Sequence, residues 1–502
     1  MAGIGLCEHA GGIRVQSDAW TVEHSRESGG AWSSLKLTHG TGQNLLRRPL
    51  SSALRFVHPD ASNDLGRFHV FAEHFEKAPR LKIEQSAAGV AVVIAEGTFT
   101  DADGKTVPVG YRRRTEYHDH GLIWTTLDFM SDSGCDDAVD VLAFDLELQA
   151  MSDVFVRLHP TQAGGGDLLG ARGWFDLSNP GVHFVSRFTP LQISLYQGGV
   201  QGIDLFTGSE FSAWDTAFKP EAGRGHFAVT SDSSGVSVKL SPYCMAQRRL
   251  KTAVRGVLSF RLGMSLPELQ QVRAASLSVR RISSALSDEA IAAIARSGAK
   301  VLVYENSFAE GGAFWRAGAY PPFDEAGMHA LARVIETAHR NNLKVLPSVS
   351  LHELHPETAV FGARSREWMH TAGAHLDMIH NYRGSGESGA LMCLKSGWVD
   401  YCRQSIVTIV RALPWDGIAL NHATYYPCCH AGHAAAPWHT DIEQLQYILR
   451  AARETLGNEK LMLLNLSDSP SLFAENLADA VFVNAAETGI FPLRAARAVV
   501  SP

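Results

Sequence analysis

Close to residue 265 the hydrophobic pattern of this chain changes period, and that change limits the folds open to it. Upstream, short β-rich runs such as AWTVEHS, GVAVVIAEGTF, GLIWTTLDFM and AVDVLAFDLELQ are separated by Gly, Asp, Ser and Asn turns. Several alternate apolar and polar residues, as half-buried antiparallel strands do. So many strands without helical periodicity predict a large β-sandwich over residues 1–264. Residues 265–286 read as a connecting helix and linker.

Downstream, over 287–502, amphipathic helical stretches alternate with continuous apolar runs. SDEAIAAIARSGAK opens on an N-cap-like Ser287 with acids in its first turn and closes on a Gly. The strands expected between helices are VLVYEN, LKVLPSVSLHEL, GALMCL, DGIALN, KLMLLNLS and DAVFVNAAE. Apolar strands between such helices predict a parallel sheet covered on both faces. A (β/α)8-type barrel fits better than a doubly wound sheet, because polar residues gather after the strands and no Gly-rich phosphate fingerprint is present. Six strands are two short of a closed barrel. The expectation is therefore an incomplete barrel: a truncated chain, two strands missed, or an open edge covered by another copy in a homo-oligomer.

Composition excludes some partners. The 502 residues are 45% hydrophobic and 19% charged, with a net charge of −7. The longest basic run, Arg112-Arg113-Arg114 within RRRTEYHDH, alternates along an apparent strand and reads as a solvated sheet face or a domain contact. Nucleic acid is thus not an expected partner. No apolar stretch has the length of a membrane span, so no membrane partner is expected either. The first residues lack a basic start and a long apolar core, and seven cysteines are spread thinly, which together suggest a cytoplasmic protein.

Side chains at the C-terminal ends of barrel strands point into a shared mouth. They are Glu305 and Asn306; His352, Glu353 and His355; Cys393 and Lys395; Asn421 and His422; Asn465 and Asp468; and Asn484 and Glu487. Carboxylates, amides, histidines and a lysine around one rim suit a ligand rich in hydroxyls, and nearby aromatics such as Tyr425 suit the faces of sugar rings. Any single rim residue serves equally well to satisfy loop backbone; the six strand ends together argue for a site.

At these strand ends the sequence resembles a known group. FGARSREWMHT, GALMCLKSGWVDYCRQSI, WDGIALNHATYYPCCHAGH and ENLADAVFVNAAE resemble the barrel of uncharacterised glycoside-hydrolase-like proteins related to the α-galactosidase clan. The early segment GGAWSSLKLTHGTGQNLL resembles the first strands of the galactose-mutarotase-like β-supersandwich that precedes such barrels. The resemblance implies a TIM-type barrel and a role in carbohydrate metabolism. It places the acid/base at Glu487 and the nucleophile at the end of a strand that reads Asp-Gly-(Ile/Val)-Tyr-(Tyr/Phe/Leu)-Asp in the family. Here that strand runs from Asp416 to Asn421, with Ala419 at the Tyr position.

A retaining glycosidase needs a second carboxylate about 5 Å from the acid, and an amide cannot attack as a carboxylate does. Three readings stay open: a replaced nucleophile, another carboxylate such as Glu305 or Glu353 in its place, or a catalytically inactive carbohydrate-binding protein. Catalytic candidates are Glu487 and Asn421; Glu305, His352, Lys395, His422 and Tyr425 are the substrate-binding candidates.

Cys428, Cys429, His430, His433 and His439 in CCHAGHAAAPWH are all zinc-ligand types. Their spacing matches no finger or ribbon, and HELH (His352, His355) lacks the spacing that puts two histidines on one helical face. A metal-dependent hydrolase is the third function class. Loop packing is the role expected of this segment, with no metal and no cofactor.

Overall fold

The computed structural model divides the chain into two compact units, Met1–Pro267 and Glu268–Pro502. The described residues run from 4 to 482. Besides shorter breaks, the stretches outside them are 58–67, 131–137, 159–171, 208–226, 241–247, 250–254, 265–277, 305–324, 372–378, 383–386, 424–426, 434–438, 466–473 and 483–502. The closing segment LRAARAVV lies outside the described residues. Among the described residues no helix is long and apolar enough to cross a membrane.

The first unit is antiparallel β. Gly5–His9, Gly12–Gln16, Trp20–Ser25 and Trp32–Leu37 form a four-stranded meander, and the remaining strands join a sixteen-stranded sheet. Trp20–Ser25 and Thr106–His118 each bury every second residue, the signature of a strand with one face on a core. Val15, Trp20 and Trp32 from the meander and Val93, Tyr111 and Tyr117 from the larger sheet belong to one buried cluster, so both sheets feed a single core.

The Arg112–Arg114 run faces solvent at its two ends and the core at its middle residue. Arg112 and Arg114 lie on the outer face and pair with Glu84, Glu96 and Glu116. Arg113 is buried between them; it is ion-paired to the buried Glu73 and donates to the Leu50 carbonyl at 3.0 Å. A charge at an inward position survives only because a carboxylate and a carbonyl meet it there. The Gly29–Gly30 turn brings Glu73 close: Gly29 has φ 65°, and a Cβ on it would stand 1.9 Å from the Glu73 carbonyl oxygen.

The second unit is built on six parallel strands. In chain order they are β1 (Val279–Ile282), β2 (Val301–Tyr304), β3 (Lys344–Ser350), β4 (Gly417–Asn421), β5 (Leu461–Asn465) and β6 (Ala480–Phe482), and they lie side by side in that order. Its helices are α1 (Asp288–Arg296), α2 (Glu325–Arg340), α3 (Ala359–Trp368), α4 (Trp398–Ala412) and α5 (Ile442–Leu456). Leu302 and Val345 pack with Ile291, Leu331 and Ile335 of α1 and α2 on one face. Val301, Val303, Leu346, Ala419 and Leu463 form a second cluster on the other face. Helices cover the first face, and on the second, inner face the strand side chains are buried against one another.

Two expectations change here. Among the described residues six parallel strands are present, but their membership differs. Residues 265–286, read as linker, contain β1, whose Arg280 and Arg281 are exposed and hide the strand behind a polar pair. GALMCL is not a strand of the parallel sheet. Glu387–Leu391 instead pairs antiparallel with Glu353–Leu354 and Ile379–Tyr382 in a three-stranded sheet. A short, fully buried apolar run looks the same in either setting, so its periodicity cannot tell them apart.

The strand starts share one device. Asp416, just before β4, accepts from Val345 N of β3 and from His339 Nε2 of α2, both at 2.8 Å. Asp479, just before β6, accepts from Met462 N of β5 at 2.6 Å and from Arg453 Nη2 of α5 at 2.7 Å. Each carboxylate satisfies a strand-edge amide and fastens a helix end, at the pole of the sheet opposite the strand ends. Gly417 follows because β5 passes so close that a Cβ there would stand 1.9 Å from the Leu461 carbonyl oxygen.

Candidate functional site

Along the inner face, the residue type changes from apolar to polar at the C-terminal ends of three neighbouring strands. On β3 it runs Leu346, Ser348, Ser350; on β4, Ala419, Asn421; on β5, Leu463, Asn465. Alternation places these positions on one face, and the register sets Ser348 beside Ala419, Ser350 beside Asn421 and Ala419 beside Leu463. The polar ends are joined: Asn421 Nδ2 donates to Ser348 Oγ at 2.7 Å, and Asn465 Nδ2 donates to Asn421 Oδ1 at 3.4 Å. Asn421 is half-buried, with both ends of its amide engaged.

The chain then turns sharply. His422 has φ 53°, in the left-handed region, while Leu351 N donates to the Asn421 carbonyl at 3.1 Å and Ala423 N to the Asn465 carbonyl at 3.3 Å. This turn brings His422 Nε2 to 3.0 Å from Glu353 Oε2. Ser350 Oγ lies 3.2 Å from the same oxygen and accepts from Glu353 N at 3.2 Å. The Glu353 side chain is 2% exposed and that of His422 25%, so the imidazole is the solvent-facing member of the pair.

Beneath the rim, His352 is fully buried. Its Nδ1 lies 3.2 Å from the Met392 carbonyl and 3.6 Å from Asp441 Oδ2. Asp441 precedes α5 at the N-cap position but makes no side-chain cap; its Oδ2 accepts from Leu394 N at 3.2 Å. His352 thus stands directly behind the rim, next to Glu353. Lys395 is half-buried in the turn after Cys393. Glu305, Tyr425 and Glu487 lie outside the described residues.

The CCHAGHAAAPWH segment is brought against a residue from elsewhere in the chain. Cys428 and His433 come together, with Cys428 Sγ 3.5 Å from His433 Nδ1, and they are joined by Cys393 from the turn before α4. His430 stacks its ring on His433 at 4.1 Å and accepts from Gly432 N through Nδ1. Cys429 lies outside the described residues, as does the side chain of His439.

Ser348, Ser350 and Asp441 escaped the sequence reading. The serines had a signal, since VLPSVS places them two apart in a strand whose other inner positions are apolar. Asp441 had none, because an Asp before a helix reads as a cap.

No protein-family model and no curated protein matches the sequence. Among solved structures the chain is similar to the galactosidase domain of an α-galactosidase–sucrose kinase, AgaSK, with a TM-score of 0.46 and 9% identity over 96% of this chain and 75% of that one. It is similar to the GH36 α-galactosidase AgaA from Geobacillus stearothermophilus, in complex with stachyose, with a TM-score of 0.44 and 10% identity over 99% and 76% of the two chains. An α-galactosidase from Lactobacillus brevis gives 0.40 and 10% over 95% and 74%. These are resemblances of chain arrangement, at identities too low to carry over any residue's role.

Proposed function

We propose that the unit Glu268–Pro502 engages a carbohydrate at the C-terminal ends of its strands and is glycoside-hydrolase-like. The observation that carries this reading is the Ser348–Asn421–Asn465 line on the inner face. Neutral donors and acceptors fixed by one another present a pre-ordered polar floor, which matches hydroxyl groups without desolvating a charge.

In this reading Glu487 is the acid that protonates the leaving oxygen, and Asn421 stands where a retaining enzyme has its nucleophile. An amide there orients a sugar hydroxyl, while Glu305 takes a proton from the water that attacks the anomeric carbon and Glu487 gives one to the departing oxygen. Glu305, Lys395, His422 and Tyr425 complete the rim. The finer architecture proposed is a galactose-mutarotase-like supersandwich followed by a (β/α)8-type barrel.

The second reading is a catalytically silent carbohydrate-binding protein. Its support is Glu353, a strand-end carboxylate held by Ser350 and His422 and 2% exposed, which is not presented to a ligand. Sugar release from a panel of α- and β-glycosides, measured for this chain, Asn421→Asp and Glu487→Gln, separates the two. Release by the parent that is lost in Glu487→Gln supports hydrolysis with Asn421 as a binding group. Release only by Asn421→Asp identifies a replaced nucleophile. Saturable binding without release in any form supports the silent binder, and neither binding nor release overturns both.

A further inference from the structure

We propose that Cys393 Sγ, Cys428 Sγ and His433 Nδ1 form a binding site for a thiophilic divalent cation, zinc first among them. This goes beyond the carbohydrate reading and does not depend on it.

The three donor atoms lie within 4.8 Å of one another. In a tetrahedral zinc site with Zn–S of about 2.3 Å and Zn–N of about 2.0 Å, neighbouring sulfur and nitrogen ligands stand roughly 3.5 Å apart. Cys428 Sγ and His433 Nδ1 are 3.5 Å apart. Two soft sulfurs and an imidazole are also the donor set that selects zinc over magnesium or calcium.

The surroundings of each ligand fit the same conclusion. His433 Nε2 lies 2.7 Å from the Glu367 carbonyl, an acceptor only, so Nε2 carries the proton. That bond fixes the tautomer with the Nδ1 lone pair toward the sulfur, the arrangement by which metal-ligating histidines are oriented. Cys428 Sγ meets two backbone donors, Thr371 N and His430 N, each at 3.5 Å. Two amides converging on one sulfur suit a thiolate. Cys428 and Cys393 are both fully buried, and a buried thiolate needs a positive partner. Cys393 is held in place by its own backbone, with its N–H on the Trp368 carbonyl at 2.8 Å and its carbonyl accepting from Ser396 N and Oγ.

The ion would tie three segments together: the turn before α4, the loop after β4, and through Glu367 and Thr371 the end of α3. The loop after β4 begins at His422, next to Asn421, so the site would fix the path of the chain leaving the rim.

The test uses the full chain, purified without chelator and dialysed against metal-free buffer, with zinc measured per chain. One zinc per chain is expected, falling to background in Cys393→Ser and in Cys428→Ser. Cobalt added to chelator-stripped parent protein should give a thiolate-to-cobalt charge-transfer band. A readout independent of the variants' folding is alkylation of the native parent. The exposed Cys7 should label at once, and Cys393 and Cys428 only after zinc is removed by a chelator. Parent protein without zinc and without a cobalt–thiolate band overturns the proposal, as does a Cys393–Cys428 disulfide in the unreduced protein.

Discussion

Asn421 and Ser348 are bonded across neighbouring strands, Nδ2 to Oγ at 2.7 Å, and Asn465 closes the other end of the same amide. A carboxylate at position 421 would meet the same two neighbours. The Ser348 hydroxyl can rotate to donate, and Asn465 Nδ2 is already aimed at the oxygen position. Asn421→Asp should therefore stay within about 1 kcal/mol of the parent in stability, whereas Asn421→Leu strands two polar groups and should cost about 1–3 kcal/mol. Urea unfolding of both variants checks this; an Asp variant as costly as the Leu one would mean that the pocket rejects a charge and never served a nucleophile.

His422 combines a left-handed backbone with an ion-pair partner, and the two contributions can be separated. At φ 53° a non-glycine residue is strained, and the imidazole covers a buried carboxylate. His422→Ala loses the partner and keeps the strain; His422→Gly loses the partner and relieves the strain. The glycine variant should be the more stable by about 0.5–1 kcal/mol, seen as a higher midpoint in thermal or urea unfolding. Equal stabilities would show that the turn is not held against a steric preference.

How far the sequence foretold these features depends on whether local pattern or distant partners decide them. The change of period separated a β unit from an α/β unit because burial on one face or on two leaves different alternations in the chain. Asn421 was singled out because DGIALN ends a strand. GALMCL was misplaced because its neighbours, Glu353–Leu354 and Ile379–Tyr382, are set by tertiary pairing. Asp441 carried no local signal of its role, because its bond to Leu394 N depends on a turn far back in the chain. The meeting of Cys428 and His433 with Cys393 was illegible for the same reason, since Cys393 lies in a different segment.

Arg113 and Glu73 are each nearly inaccessible, and each is the other's counter-charge. Burial pushes the Glu73 carboxyl up, against the pull of Arg113 and the Ser52 amide. Arg113→Ala leaves that buried carboxylate without its counter-charge and the Leu50 carbonyl without its side-chain donor, and should destabilise the first unit by about 3–5 kcal/mol. Replacing both members, as Arg113→Met with Glu73→Leu, should recover much of that loss, because no uncompensated charge stays buried. Chemical unfolding of the single and double variants gives the coupling, and a double variant worse than the sum of the singles would contradict this account.

His24 gives the first unit a sensitivity to mild acid. Its ring is buried between Trp32 and Tyr117, with Nδ1 2.8 Å from the Gly30 carbonyl and Nε2 2.5 Å from the Tyr117 hydroxyl. A neutral imidazole satisfies both contacts, donating at Nδ1 and accepting at Nε2. Burial lowers its pKa to about 4, opposed by the Gly30 carbonyl and helped by the charge of Arg113. The unfolded chain takes up the same proton near about pH 6.5. Between those values the unfolded state holds one more proton, so stability rises with pH across the window and falls as acid is added. Above about pH 6.5 the contribution is fully present; by about pH 4 it is gone, a change on the order of 3 kcal/mol. Glu73, with its raised carboxyl, works in the opposite sense, so the comparison must be made against a variant that removes only the histidine. In His24→Gln the urea midpoint should vary less between pH 4 and 6.5 than in the parent, even though the variant is less stable at neutral pH. Parallel pH profiles for the two proteins would show that some other group carries the acid sensitivity.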